Sequence, residues 1–133
     1  MAKLMWAVLC DRLIVDQQTN KATHVDLIQS LAPRQLPARL PRVILATTWK
    51  RDGIDEPLLI KVAVSAPTGT QTTLFEADPI TFEDAQFWRA NFNLEGLEIS
   101  SPGEHTLRIS TKRNQRWKKE FDIPLTILDP APA

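Results

Sequence analysis

The stretch PGEHTLRISTKRNQRWKKEFDIPLTIL, residues 102–128, decides the fold. Pro102-Gly103 signals a turn, Glu104 to Lys112 reads as one strand, Arg113, Asn114 and Gln115 form a polar break, and Arg116 to Leu128 reads as a second strand. In the second run Phe121, Ile123, Leu125 and Ile127 alternate with Asp122, Pro124 and Thr126. That period of two belongs to a strand with one face on a core and the other in water. The pair predicts a half-buried hairpin.

Working outward, the same logic recovers further strands. Lys3 to Asp16 is nearly continuous in apolar residues, which suggests a strand covered on both faces and broken or bulged at Asp11 and Arg12. Gln17 to Lys21 is a turn, with Asn20 suited to a left-handed backbone. Ala22 to Ile28 reads either as a returning strand or, from Asp26 on, as one or two capped helical turns over 26–32. Pro33, Pro37 and Pro41 make the next segment an extended connection or crossover. Val43 to Trp49 reads as a strand that turns at Asp52-Gly53 into a partner over Leu58 to Ala66. Gln71 to Ala77 and Phe87 to Leu94 supply two more, and Gly96 ends or bulges the latter.

Seven or eight strands joined by short turns predict an all-β fold, specifically a two-layer antiparallel β-sandwich of immunoglobulin-like type. At 133 residues one domain is expected, residues 1–128, with a flexible tail at 129–133 that carries Pro130 and Pro132. The Cys, Trp, Cys spacing of true immunoglobulin domains is absent, and a chain without tyrosine has no tyrosine corner.

Charge and composition exclude several classes of function. Sixteen basic residues balance sixteen acidic ones, so no global field recruits nucleic acid or an anionic membrane. No stretch approaches the roughly twenty apolar residues of a membrane-spanning helix. The lone Cys10 cannot close an internal disulfide, which leads to the expectation of a soluble protein of a reducing compartment, the cytoplasm. With four glycines there is no phosphate-cradling loop, and no Gly-x-Ser-x-Gly occurs. His24 and His105 lack metal-ligand spacing, so neither metal nor cofactor is expected; His105 shares parity with Leu107 and Ile109 and reads as a partly buried packing histidine. Cys10, inside an apolar strand, reads as an inert packing thiol. No catalytic residue is assigned.

Two charged regions remain. Glu76, Asp78, Glu83, Asp84, Glu95 and Glu98 surround a single cation, Arg89, and form an acidic edge; Glu83-Asp84 lacks the spacing of a calcium loop. Lys112, Arg113, Arg116, Lys118 and Lys119 enclose Trp117. Basic residues around an aromatic suit single-stranded nucleic acid, and equally an edge hairpin that repels other strands; zero net charge favours the second. Trp6 and Trp88 sit in apolar runs and read as core, whereas Trp49 and Trp117 lie beside charged turns and read as exposed. Four tryptophans would also serve a sugar-stacking platform, but exposed tryptophan with a charged rim reads first as a protein interface.

The early apolar strand into Cys10-Asp11, the Asp16 to Lys21 turn, the Pro37 to Pro41 link, and Pro102-Gly103-Glu104-His105-Thr106 followed by Leu125 to Ile127 together resemble a family of small uncharacterised bacterial all-β proteins. His105 stands where that family more often shows an aromatic. The resemblance implies a β-sandwich without an assigned function and carries over no site residues. The resulting expectation is a non-enzymatic protein-interaction module that pairs its acidic and basic regions with a second copy. The alternative is small-ligand or single-stranded nucleic-acid binding through Trp117, Arg116, Lys118, Lys112, Arg113 and Trp49.

Overall fold

The computed structural model describes residues 2–51, 58–77, 86–113 and 115–130, and the fold it shows is all-β. In chain order the strands are β1 (Ala2–Val15), β2 (Ala22–Leu27), β3 (Ser30–Leu31), β4 (Ala38–Arg39), β5 (Ile44–Arg51), β6 (Ile60–Ser65), β7 (Gln71–Glu76), β8 (Phe87–Asn93), β9 (Glu98–Ile99), β10 (Gly103–Arg113) and β11 (Arg116–Ile127). They form a four-stranded sheet β2-β1-β5-β8, a five-stranded sheet β3-β11-β10-β6-β7 and a two-stranded ribbon β4-β9. Seven or eight strands were expected; among the described residues there are eleven, three of them only two residues long. All pairings are antiparallel except β3 against β11, which is parallel.

The 102–128 hairpin forms as expected, with β10 and β11 in register from Gly103↔Ile127 to Arg113↔Arg116. Its alternation holds at the base, where Ile123, Leu125 and Ile127 are buried. Phe121 departs from it: a bulge shifts the register between Ile109 and Ser110, and Phe121 is 45% exposed. The reason is position, since β3 flanks β11 only at Thr126 and Ile127 and leaves Phe121 on an open edge.

One core cluster draws on both large sheets, with Leu9, Leu45, Trp49 and Ala90 from the first and Ile60, Val62, Leu107, Ile109, Ile123, Leu125 and Ile127 from the second. The parity is regular in β5, where Leu45, Thr47 and Trp49 point into this core. Val43 to Trp49 and Leu58 to Ala66 do not pair with each other, contrary to the hairpin expectation. Both edges of β5 are filled by β1 and β8, so β6 joins the other sheet between β10 and β7. The Asp52-Gly53 turn lies outside the described residues, as do 131–133 of the expected flexible tail.

No helix forms over 26–32. Asp26 takes φ 54°, β2 ends at Leu27, and Ser30–Leu31 joins β11. The proline link then crosses from the five-stranded sheet to β4, which pairs with β9, and on to β5; its Leu36-Pro37 bond is cis.

Where the sequence suggested a break at Asp11 and Arg12, β1 bends. Its pairing with β5 stops at Cys10↔Ile44, while its pairing with β2 runs from Cys10↔Leu27 to Val15↔Ala22 without a slip. The register shift in β1 lies instead between Leu4 and Trp6. Beyond the bend the β1–β2 hairpin folds back over the outward face of the four-stranded sheet. The Trp6 and His24 rings meet 5.0 Å apart, and Arg89 Nη2 donates to the Asn20 carbonyl at 2.6 Å. Cys10 and Ala46, on the face opposite to Leu9 and Leu45, are thereby buried as well. The strand is covered on both sides only at Leu9 and Cys10; Met5, Trp6, Ile14 and Val15 are exposed, so continuous hydrophobicity overstates its cover.

Candidate functional site

The first candidate is the open end of the β10–β11 hairpin. Lys112 and Trp117 are cross-strand partners, and Lys61 of β6 pairs with Ser110 on the adjoining strand. Lys61 Nζ lies 4.6 Å and Lys112 Nζ 5.8 Å from the Trp117 ring centroid. Both fall within cation–π range, so the ring orders the two ammonium groups rather than standing free. Trp117 is half-buried; Arg116, Lys118, Lys119 and Lys112 are exposed. The backbone of Arg113 pairs with that of Arg116, and its side chain lies outside the described atoms.

Trp49 does not belong to this surface. It is fully buried, and its Nε1–H donates to Thr47 Oγ1 at 2.9 Å, while the Thr47 hydroxyl donates to the Ala90 carbonyl at 2.6 Å. Core parity outweighs the neighbouring charges of Lys50 and Arg51. Trp6 and Trp88 are corrected in the opposite sense, being 41% and 37% exposed. Sequence order missed what they build.

Trp6, Thr48 and Arg89 form one row across β1, β5 and β8. Together with Asn20 at the hairpin tip and Phe87 and Trp88 on β8 they line a cavity of about 730 Å³. Arg89 is held there by the Asn20 carbonyl. The Thr48 hydroxyl, screened from solvent, has no hydrogen-bond partner among the described residues. The Trp88 and Phe87 pair is visible in sequence, but its meeting with Trp6 and Asn20 depends on the hairpin folding back, and no local period reports that.

A second, smaller cavity of about 130 Å³ lies between the proline link and the sheet end, lined by Leu31, Pro33, Leu40, Ile99 and Ile127 among others. A third cleft runs along Arg12, Leu13 and Ile14 against Ile44, Asn93 and Glu95.

The groups with displaced pKa values answer to structure. Burial, then the neighbouring Asp11, pushes the Cys10 thiol up. Backbone N–H groups of Thr19 and Gln18 hold Asp16 down within its turn. Arg108 donates to both Asp122 oxygens, at 2.9 and 3.2 Å, and lowers that carboxyl. His105 is buried, with Nδ1 3.2 Å from the Gly103 carbonyl, as a packing histidine should be. Of the acidic edge, Glu76 stands opposite Lys61 and Glu98 opposite Arg39, so these carboxylates alternate with cations; Asp78, Glu83 and Asp84 lie outside the described residues. Among the described residues no three His, Cys, Asp or Glu side chains gather as a metal site would require, and no helix is long and apolar enough to cross a membrane.

Fold and surface thus define an all-β domain with one core, an ordered basic hairpin end and an aromatic cavity on the opposite sheet. The chain belongs to DUF6941, a family of unknown function, whose model matches residues 5–124. No curated protein matches it. Among solved structures it is similar to the C-terminal domain of wzt, with a TM-score of 0.56 at 12% identity over 96% of this chain and 74% of that one. It is also similar to the Pseudomonas fluorescens alkylpurine DNA glycosylase AlkC bound to DNA containing an abasic site analog, with a TM-score of 0.51 at 12% identity. That match covers 91% of this chain and 30% of the glycosylase. At such identity the likeness is one of fold alone.

Proposed function

We propose that this chain is a non-enzymatic protein-interaction module on a two-layer, immunoglobulin-like sandwich, working in the cytoplasm and associating with a second copy of itself. The observation that carries the reading is the pair of ammonium groups held over Trp117 by Lys61 and Lys112. Cations ordered before contact lose less side-chain freedom on docking an acidic partner. The Glu76 to Glu98 segment, with six carboxylates to one cation in its sequence, is the acidic counterpart on another copy, and zero net charge leaves no overall repulsion between copies. The shifted groups, Cys10, Asp16, Arg108 and Asp122, are each accounted for by burial, a turn or an ion pair, which supports a binding rather than a catalytic role.

Single-stranded nucleic acid is the weaker reading. Lys61 already occupies a face of the indole on which a base would stack. Sedimentation velocity over a concentration series at low and high salt tests the proposal. Association at low salt that is lost at about 1 M salt, where screening acts within roughly 3 Å, and lost also in a Lys112→Glu, Lys118→Glu double variant, supports it. A monomer throughout, or association indifferent to both changes, overturns it.

A further inference from the structure

The cavity beneath the β1–β2 turn points to a different ligand, and we propose that it is a saccharide-binding site. Its volume, about 730 Å³, lies within the roughly 300–1,000 Å³ typical of small-molecule sites. Its aromatic walls are Trp6 and Phe87, 41% and 53% exposed, which share the outward face with Thr48 and Arg89, while Trp88 borders the cavity from the edge strand with core parity. The face of a pyranose ring carries polarised C–H bonds that pack against the negative face of an indole, while its rim carries hydroxyls that both donate and accept. The polar groups match that rim. Arg89 is fixed through Nη2 to the Asn20 carbonyl, which sets the direction of its remaining N–H donors. Asn20 adds a side-chain amide with both donor and acceptor atoms. Thr48 lies in the row between Trp6 and Arg89, and its hydroxyl has no partner among the described residues.

Other occupants fit these residues less well. A purely apolar ligand would cover the remaining Arg89 N–H donors without hydrogen bonds and leave the Thr48 hydroxyl unpartnered, which is costly. A nucleic-acid strand needs a track of cations for its phosphates, and among the described residues Arg89 is the one charged residue in the lining. The proposal does not rest on self-association; Phe87 and Arg89 fall within the Glu76 to Glu98 segment invoked there, and high salt separates the two effects.

The test follows the indole N–H signals of 15N-labelled protein by NMR, at high salt so that charge-driven association does not contribute. Soluble oligosaccharides of glucose, mannose, N-acetylglucosamine and glucuronate are titrated to millimolar concentration, with an oligothymidylate as a separate arm. At least one saccharide is expected to move the Trp6 signal while Trp49 and Trp117 stay in place. Phe87→Ala should then weaken binding about tenfold or more, with the Trp49 signal reporting that the core remains folded. The proposal is overturned if no saccharide moves Trp6, if the oligothymidylate alone does, or if Phe87→Ala binds as tightly as the parent.

Discussion

Trp6 and His24 meet edge to face with ring centroids 5.0 Å apart, although strand register sets His24 opposite Leu13. Residues 6 and 13 of one straight strand would be separated by about 23 Å at roughly 3.3 Å per residue. The contact therefore requires β1 to turn back on itself. Since the β5 pairing holds through Cys10, the reversal falls between Cys10 and Leu13. The hairpin that results acts as a roof over the outward face of the four-stranded sheet, and Cys10 lies under it.

This geometry makes Cys10 a reporter. In the parent protein the thiol is fully buried with its pKa pushed up by burial and by Asp11, so it should react slowly with a disulfide reagent. Trp6→Ala removes the ring contact that holds the roof. An aromatic pair of this kind stabilises by about 0.5–1.5 kcal/mol, so the thiol should react roughly two- to tenfold faster while the circular dichroism is unchanged. Equal rates would show that something other than the Trp6–His24 contact closes the hairpin.

Trp49 decides whether the core has been placed correctly. Trp49→Ala should cost about 3–5 kcal/mol in chemical denaturation, because it leaves a cavity between the sheets and leaves the Thr47 hydroxyl without its indole donor. Trp117→Ala, at the hairpin end, should cost about 1 kcal/mol or less, since the contact it removes is a partly exposed cation–π pair. Comparable losses for the two variants would contradict the burial of Trp49.

The tryptophans also show how far local pattern reaches. Reading each by its immediate neighbours placed Trp6 and Trp88 inside and Trp49 outside, the reverse of what is found. Parity was the better guide for Trp49, because Val43, Leu45, Thr47 and Trp49 share one face of a strand whose next residue, Lys50, points away. Trp88 has core parity, paired with Trp49, but sits on an edge strand where one flank is open. For Trp6 no local signal exists, since its surroundings are set by a hairpin returning from elsewhere in the chain. The β10–β11 hairpin was legible because turn, register and period all lie within one stretch of sequence. The cavity was not, because Trp6, Asn20, Thr48 and Arg89 come from four separate stretches brought together by sheet order.

Gly103 is expected to resist substitution. Its φ is +112°, and a Cβ there would stand 2.8 Å from Cγ of Pro67, a ring that cannot swing aside. Gly69, at φ +92° with open space around it, carries only the conformational cost. Gly69→Ala should therefore lose about 1 kcal/mol and Gly103→Ala appreciably more, about 2–3 kcal/mol, read as the fall in unfolding free energy. Equal losses would mean that the packing of Pro67 on the hairpin base contributes nothing.

The last prediction concerns acid. Asp122 accepts two hydrogen bonds from Arg108, its cross-strand partner, and lies 3.5 Å from Lys119 Nζ; these contacts hold its pKa below the ordinary value, with the Arg108 bonds the largest cause and partial burial opposing them. A carboxyl lowered in the folded state stabilises the fold above its unfolded pKa of about 3.9, and the contribution is lost as pH falls through the folded value. The side chains are 39% and 30% exposed, so solvent screening limits the effect to about 1 kcal/mol or less. Asp122→Asn should thus be slightly less stable than the parent at neutral pH and should converge with it once the pH has fallen through the lowered pKa of Asp122, whereas Asp16, lowered by its turn, titrates equally in both proteins. Thermal melts between about pH 2 and 7 measure this, and a constant gap between the two proteins across that range would remove the Arg108–Asp122 pair as its source.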